Sequence, residues 1–449
     1  MHDKGEKMKR YHLFGIKEIQ RMLDAGEVTC TELCAYYLKR IEKFGGKDEL
    51  NCVCAVNENA LSEARASDGR GEKLPLRGCF VLVKDNVDIA GMPTTAGSVA
   101  LANHIAREDA SVIGMLKKLG AVILGKTNLT EFANFLTQGM PGGFSSLGGQ
   151  VVSAFAQDKP VSGSSSGSAV AMSAGLCSFS VGTDTSFSVV GCAAENGVIG
   201  YKPPAGALPS RGIVPITKHF DSPGFFTKSM DDLRIVLSAL FGEPQENLPA
   251  RKLLVNDFRI GEVSENQRAL YARLLAKLEV NGTQIAHVEI GNTPLLKELM
   301  LRCFARELQD YLDASGEGLT VDEILMKYGV NPDLYAPYGT TYLETSIHYM
   351  RDGENGKEIA AILADIEKTR AEVLEKLDGA DACLMTGPTC VMHYVGLPSL
   401  SIPFANGADG YPRSMILFGK DEEKLLAAAD EIQRLCGDTA KSEYWEKEI

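Results

Sequence analysis

Several absences narrow the class of this 449-residue chain before any motif is read. No apolar window approaches the length of a membrane span, which excludes a transmembrane protein and leaves the expectation of a soluble one with no membrane partner. There is no long basic run and the formal net charge is −13, so a general nucleic-acid binder, which needs Lys and Arg clustered against phosphate, is excluded. The opening residues, MHDKGEKMKRYHLF, hold no apolar core of a signal peptide. Beside the close pairs Cys30/Cys34 and Cys52/Cys54 no further cysteine pair stands at zinc spacing, so these read as core thiols. The eleven cysteines are odd in number, scattered, and set in apolar segments at Cys177, Cys303 and Cys383; this fits a reducing cytoplasm better than a disulfide framework. Nor is there an internal repeat, or a linker rich enough to mark a boundary. The length allows one large α/β unit or two domains.

What is present begins with two helices over Gly15–Phe44, the second with Thr31 as N-cap and Leu33, Tyr37, Leu38 and Ile41 on one stripe. The run RGCFVLVKDNVDI, Arg77–Ile89, is a strand that ends in Lys84-Asp85-Asn86. A lysine at the end of a buried strand must reach solvent, pair with an acid such as Asp85, or lose its proton. A helix over Asp109–Leu119 and a strand over Ala121–Leu124 lead to Gly125-Lys126-Thr127-Asn128, which resembles the tail of a phosphate loop without its preceding glycine. Gly139–Lys159 reads as a long loop. It leads into Pro160–Pro215, where two hydroxyl clusters, Ser162–Ser168 and Thr183–Ser188, flank a small-residue helix over Ser166–Gly175 and a strand over Cys177–Val181. From Ser229 onward helices and strands alternate, with a less regular region up to about Arg351. Such alternation implies a large sheet covered on both faces, and ligands in such sheets collect at the carboxyl ends of strands.

Three chemistries suit the hydroxyl clusters. Gly163-Ser164-Ser165-Ser166-Gly167 has the spacing of a nucleophile elbow, with Ser165 attacking and His219, His287, His348 or His393 as base, but the preceding AQDKPVS is no buried strand. A bare anion cradle at a helix N-terminus is the second. The third is serine–lysine catalysis, in which a desolvated, neutral lysine draws a proton through one serine from another; Lys84 meets that demand.

The residues resemble the amidase signature family. The resemblance is carried by Gly163-Ser164-Ser165, Gly182-Thr183-Asp184, Gly197-Val198-Ile199-Gly200-Tyr201-Lys202-Pro203 and Val83-Lys84-Asp85-Asn86, with Glu131-Phe132 and Gly396–Pro403 further out. It implies an α/β class protein, an α/β/α sandwich around a large mixed β-sheet. A single amidase domain spans 1–449, with its core at 60–260 and 380–449 and a variable substrate-shaping region at about 261–380. The resemblance makes Lys84 the base, Ser164 the relay serine held by a cis peptide bond, and Ser188 the nucleophile. Backbone N–H groups of Thr185, Ser186, Phe187 and Ser188 form the oxyanion hole, and Ser165 and Asp184 act as supports. It further implies hydrolysis of a linear amide, small or peptide-like, through an acyl-enzyme in the cytoplasm, without metal or cofactor. A homodimer is left open. The Ser-Ser-Ser-Gly-Ser variant and the run Gly139–Gln150 look closer to the peptide-amidase branch than to the transfer-RNA amidotransferase branch. The sequence departs from the family at Phe187, where glycine is usual, at Val190, and at Gly191-Cys192. Two alternatives follow: an A-type component of a tRNA-dependent amidotransferase, with glutamine as donor and a stable partner protein, or a silent binding relative in which Phe187 closes the oxyanion hole.

Overall fold

Eleven strands form one sheet in a computed structural model that describes residues 9–70, 72–156, 158–159, 161–243, 250–291, 293–437, 439 and 441–449. Residues 1–8 of the polar N-terminus and Pro160, where the hydroxyl-rich stretch begins in the sequence, lie outside the described residues. The strands are β1 Val53–Val56, β2 Phe80–Lys84, β3 Val122–Thr127, β4 Phe144–Ser145, β5 Gly149–Gln150, β6 Phe179–Asp184, β7 Ile199–Lys202, β8 Ser222–Thr227, β9 Lys252–Asn256, β10 Gln284–Val288, β11 Ala382–Met385, β12 Ser399–Asn406 and β13 Pro412–Phe418. Their order across the sheet is β1-β3-β2-β6-β8-β7-β12-β13-β11-β9-β10, and β4 and β5 make a separate hairpin. Parallel pairs, β2 with β3 and β6, and β9 with β10 and β11, are joined through an antiparallel middle. The sheet is therefore mixed.

Both faces are covered, which is why the central strands read as unbroken apolar runs. On β2, Val81 and Val83 enter one apolar cluster with the helices Ser111–Lys118, Met230–Phe241 and Glu422–Cys436, whereas Phe80 and Leu82 enter another with Cys30–Arg40 and Ser166–Ser173. A third cluster packs the helices Leu296–Ser315, Thr341–Arg351 and Asn355–Lys376 against Cys383, Ile416 and Phe418. The architecture is an α/β/α sandwich.

Two expectations are corrected. The second helix starts at Cys30 and is capped by Thr29, whose side chain and Glu32 form a reciprocal capping box; Thr31 already lies inside the helix. The region expected to be irregular before Arg351 holds helices Val321–Val330, Pro332–Tyr335 and Thr341–Arg351, the first again opened by a capping box, Thr320 with Glu323. Pro332 and Gly339 obscure the helical period there. No helix of the described residues is long and apolar enough to cross a membrane.

Helix Ser166–Ser173 is buried along its whole length, and its small residues permit this. A Cβ on Gly167 would lie 2.3 Å from the Asn128 carbonyl oxygen and 2.5 Å from that of Cys52, so only glycine lets the helix start this close to the sheet. That contact sets where Ser164 and Ser165 enter the site.

Candidate active site

Lys84 is the last residue of β2; Val83 pairs with Val181 on the parallel strand β6, so Lys84 ends level with Gly182, one residue before Thr183. Its parity with Phe80 and Leu82 directs it to the face that carries helix Ser166–Ser173. The side chain is fully buried. Its Nζ lies 2.7 Å from Ser164 Oγ, 2.8 Å from Thr183 Oγ1 and 3.3 Å from the Thr183 carbonyl oxygen. Asp85, the acid adjacent in sequence, turns the other way: it is 3.1 Å from Lys126 Nζ and accepts from the Thr95 hydroxyl and, at 3.2 Å, the Thr95 N–H. Neither the salt bridge to Asp85 nor a reach to solvent is realised for Lys84. Burial without a contacting carboxylate pushes its pKa down to about 7.

The Lys126–Asp85 pair also disposes of the phosphate-loop resemblance, since Lys126 is fully buried and committed. Asp85→Ala would leave that ammonium buried and unpaired. We expect a loss of roughly 3–5 kcal/mol of stability, read by urea denaturation; a loss below about 1 kcal/mol would show that the pair is dispensable.

Ser164 follows a cis Gly163–Ser164 peptide. Its Oγ is 2.9 Å from Ser188 Oγ, its N–H donates to Ser188 Oγ at 3.1 Å, and its carbonyl accepts the Thr130 N–H at 3.0 Å. An amine, a hydroxyl and a second hydroxyl thus stand in one line of hydrogen bonds, all buried. Ser165 is not part of it. Its hydroxyl donates to the Thr183 carbonyl at 3.0 Å and accepts the Thr183 N–H at 3.3 Å, stitching the loop to β6. Among the described residues no histidine reaches these serines: His287 pairs with Asp257, His348 lies against Tyr349, and His219 is half-buried elsewhere.

The segment after β6 turns sharply. Asp184 Oδ2 accepts the N–H groups of Val189 at 2.7 Å and Val190 at 3.3 Å, which open the helix Val190–Asn196. Phe187 adopts a left-handed φ of 67°, the conformation that a glycine would take without strain. Its N–H donates to His393 Nε2 at 3.2 Å. The Phe187 N–H, one of the four expected oxyanion donors, thus already has an acceptor. Among the described residues the N–H groups of Thr185, Ser186 and Ser188 have none. Thr185 is held by its hydroxyl, 2.5 Å from Asp221 Oδ1, and burial raises the Asp221 carboxyl to about 7.

Four of these neighbours carry no such role in the sequence alone. Thr183 stands inside a recognised motif, but only the register shows its hydroxyl on Lys84. Thr130 and Asp221 have no local signal. His393 reads from the sequence solely as a candidate base. Metal-competent side chains come together among the described residues at His219, Cys303 and Glu307, whose ligand atoms lie within 4.8 Å of one another. Glu307 there is already taken by the Lys218 N–H at 2.6 Å and the Thr217 hydroxyl at 3.4 Å.

The fold is thus an α/β protein built on a mixed sheet, with a buried line of two serines and a lysine beginning at the end of β2. The chain belongs to the amidase family, whose family model, described as Amidase, matches residues 32–380. Mandelamide hydrolase of Pseudomonas putida is 34% identical over 324 residues, 69% of this chain and 63% of that protein. The A component of the glutamyl-tRNA(Gln) amidotransferase of Salinibacter ruber is 36% identical over 248 residues, 54% of this chain and 47% of that protein. The chain thus spans less than two thirds of these curated relatives' lengths. Among solved structures, an amidase family protein from Bacillus anthracis superposes with a TM-score of 0.88 at 26% identity, covering 98% of this chain and 96% of that one. The native peptide amidase of Stenotrophomonas maltophilia superposes with a TM-score of 0.86 at 26% identity, covering 97% and 99%.

Proposed function

We propose that this chain is an amidase, one catalytic unit that hydrolyses a linear carboxylic amide through an acyl-enzyme on Ser188. The observation that carries the reading is the line Ser188 Oγ–Ser164 Oγ–Lys84 Nζ, at 2.9 and 2.7 Å. With Lys84 neutral, its lone pair accepts the Ser164 proton while Ser164 Oγ accepts that of Ser188, and Ser188 Oγ forms a bond to the amide carbon. The carbonyl oxygen takes the negative charge against the N–H groups of Thr185, Ser186 and Ser188. One such donor is worth on the order of 3 kcal/mol. The same relay returns a proton to the departing nitrogen as the C–N bond breaks; water then repeats the sequence on the ester and frees the acid. Ser165 and Asp184 hold the two loops in place.

Relatives of two kinds match the sequence, an amide hydrolase and a component of an amidotransferase. The likeness to a peptide amidase over nearly the whole of both chains supports the hydrolase. It also favours a small or peptide-like amide as substrate. The cysteines are free and most of them are buried, which supports a cytoplasmic setting; Cys54, read from the sequence as a core thiol, is instead exposed.

Reaction with a fluorophosphonate probe tests the proposal, read by mass as one adduct on the peptide containing Ser188. No adduct under conditions that label an active relative would favour a silent binding protein. Ser164→Ala removes the relay while leaving both ends, and should slow adduct formation by roughly two to four orders of magnitude. An unchanged rate would show that Lys84 reaches Ser188 by another route.

A further inference from the structure

The segment Asp184–Ser188 is tied to a part of the chain some two hundred residues away, the stretch around the short helix Val391–Tyr394. His393 Nδ1 lies 3.3 Å from Asp184 Oδ1. His393 Nε2 accepts the Phe187 N–H at 3.2 Å. The two rings meet edge to face, with centroids 4.8 Å apart and an interplanar angle of 62°. Beside them Ser186 Oγ stands 3.6 Å from Cys390 Sγ. Three successive residues of the loop, Ser186, Phe187 and Ser188, therefore consist of two anchored residues and the serine that lines up with Lys84.

The chemistry of the imidazole gives these contacts a direction. A ring nitrogen that accepts an N–H must carry its lone pair there, so the ring proton sits on Nδ1 and faces the Asp184 carboxylate. Both side chains are fully buried. Asp184 and Lys202 are the charged groups that face the ring, and burial pushes its pKa down to about 4, so the neutral tautomer persists through the neutral range. Asp184 is shared: one oxygen faces His393 and the other binds the Val189 and Val190 N–H groups on the far side of the nucleophile. One carboxylate thus connects the turn before Ser188 with the helix after it.

Phe187 makes this connection matter. At φ 67° a phenylalanine is strained relative to glycine and needs outside contacts to stay there. The His393 acceptor and ring supply them. We propose that His393 is a positioning residue: by accepting the Phe187 N–H, with its other ring nitrogen set 3.3 Å from Asp184, it holds Phe187 left-handed, and so aims the neighbouring N–H groups of Ser186 and Ser188 at the substrate carbonyl oxygen. The Phe187 N–H is thereby withdrawn from the oxyanion hole. This rests on the proposed role of Ser188.

The test compares His393→Ala and His393→Gln with the wild type, using a fluorophosphonate as the probe and hydrogen exchange as an independent readout. His393→Ala should lower the maximal rate of adduct formation on the order of 100-fold, the effect of misplacing one or two oxyanion donors, while the affinity of the initial probe complex changes less than about threefold. The Phe187 amide should exchange at least about tenfold faster, with amides of the buried helix Ser166–Ser173 unchanged. In His393→Gln an amide oxygen and an amide nitrogen replace the two ring atoms, so rate and protection should return to within about tenfold of wild type. A wild-type rate in His393→Ala, or a loss of protection spread through the whole sheet with no rescue by Gln, would overturn the proposal. An unlabelled wild type whose Phe187 exchange still depends on His393 would remove the hydrolytic reading and the catalytic purpose of the clamp. A labelled wild type whose rate and exchange ignore His393 would remove the clamp alone.

Discussion

Ser188→Ala is expected to abolish covalent labelling by a fluorophosphonate and to lower turnover of any amide substrate by roughly four to six orders of magnitude, because the group that forms the new bond is gone. The change deletes one oxygen at a position that is only 6% exposed. Its contacts are to Ser164 Oγ and the Ser164 N–H, and neither carries the fold. The melting temperature should therefore stay close to that of the wild type, which separates lost chemistry from lost structure. Residual labelling at the wild-type rate would move the nucleophile elsewhere. Ser165 is the poorest replacement, since its hydroxyl already donates to and accepts from the backbone of Thr183. Ser186, half-buried one residue from the left-handed turn, is the nearest other hydroxyl of the loop, and peptide mapping of the adduct would distinguish it.

The site is legible in the sequence to the extent that its parts sit in contiguous motifs. Lys84 can be placed because an apolar run, CFVLV, leads straight into it and strands of that kind are buried on both faces. Ser164 and Ser188 come from a resemblance, and they lie 2.9 Å apart although the pairing of their loops depends on the register of β6 with β2 and β8. What stays hidden has a common cause. Strands β7 and β8, IGYK and SPGFFT, are short and carry glycine or proline, so local propensity does not announce them; they exist because β6 and β12 supply ladders on either side. Asp221 and His393 act through side chains that meet the loop from far along the chain, and no spacing rule connects 185 with 221 or 187 with 393. Phe187 shows both halves at once. The sequence marks it as a departure from the family, whereas its left-handed backbone and its acceptor appear only in three dimensions. Its ring and the residues Tyr335 and Tyr342 pack against one apolar cluster, so the loop before Ser188 and the helices of the region at about 261–380 share a boundary that the sequence keeps apart.

Lys84→Met should likewise end acylation, and its pH behaviour distinguishes a base from a structural cation. The wild-type side chain titrates near 7 because burial outweighs the more distant Cys192, Asp184 and Asp221. Only the neutral amine accepts a proton, so the rate of fluorophosphonate reaction should be level above about pH 7 and fall about tenfold per pH unit below it. A lysine at its ordinary value of 10.5 would instead give a rate that climbs through pH 7 to 10. Stability carries the opposite information. In the unfolded chain the amine stays protonated up to about 10.5, in the folded chain only to about 7, so the unfolded state binds more protons between those values and wild-type stability rises with pH across that window. Methionine has no proton to lose. The stability of Lys84→Met relative to wild type should therefore be most favourable below pH 7 and decline toward pH 10, as measured by urea titration. A variant that is inactive because it unfolds would show the reverse, a deficit at neutral pH. Full labelling of Lys84→Met would end the lysine assignment whatever its stability. A folded, unlabelled protein with that pH trend would mean that the chain tolerates an unfavourable buried lysine for the proton it accepts, since among the described residues Lys84 makes no ion pair that could offset its burial.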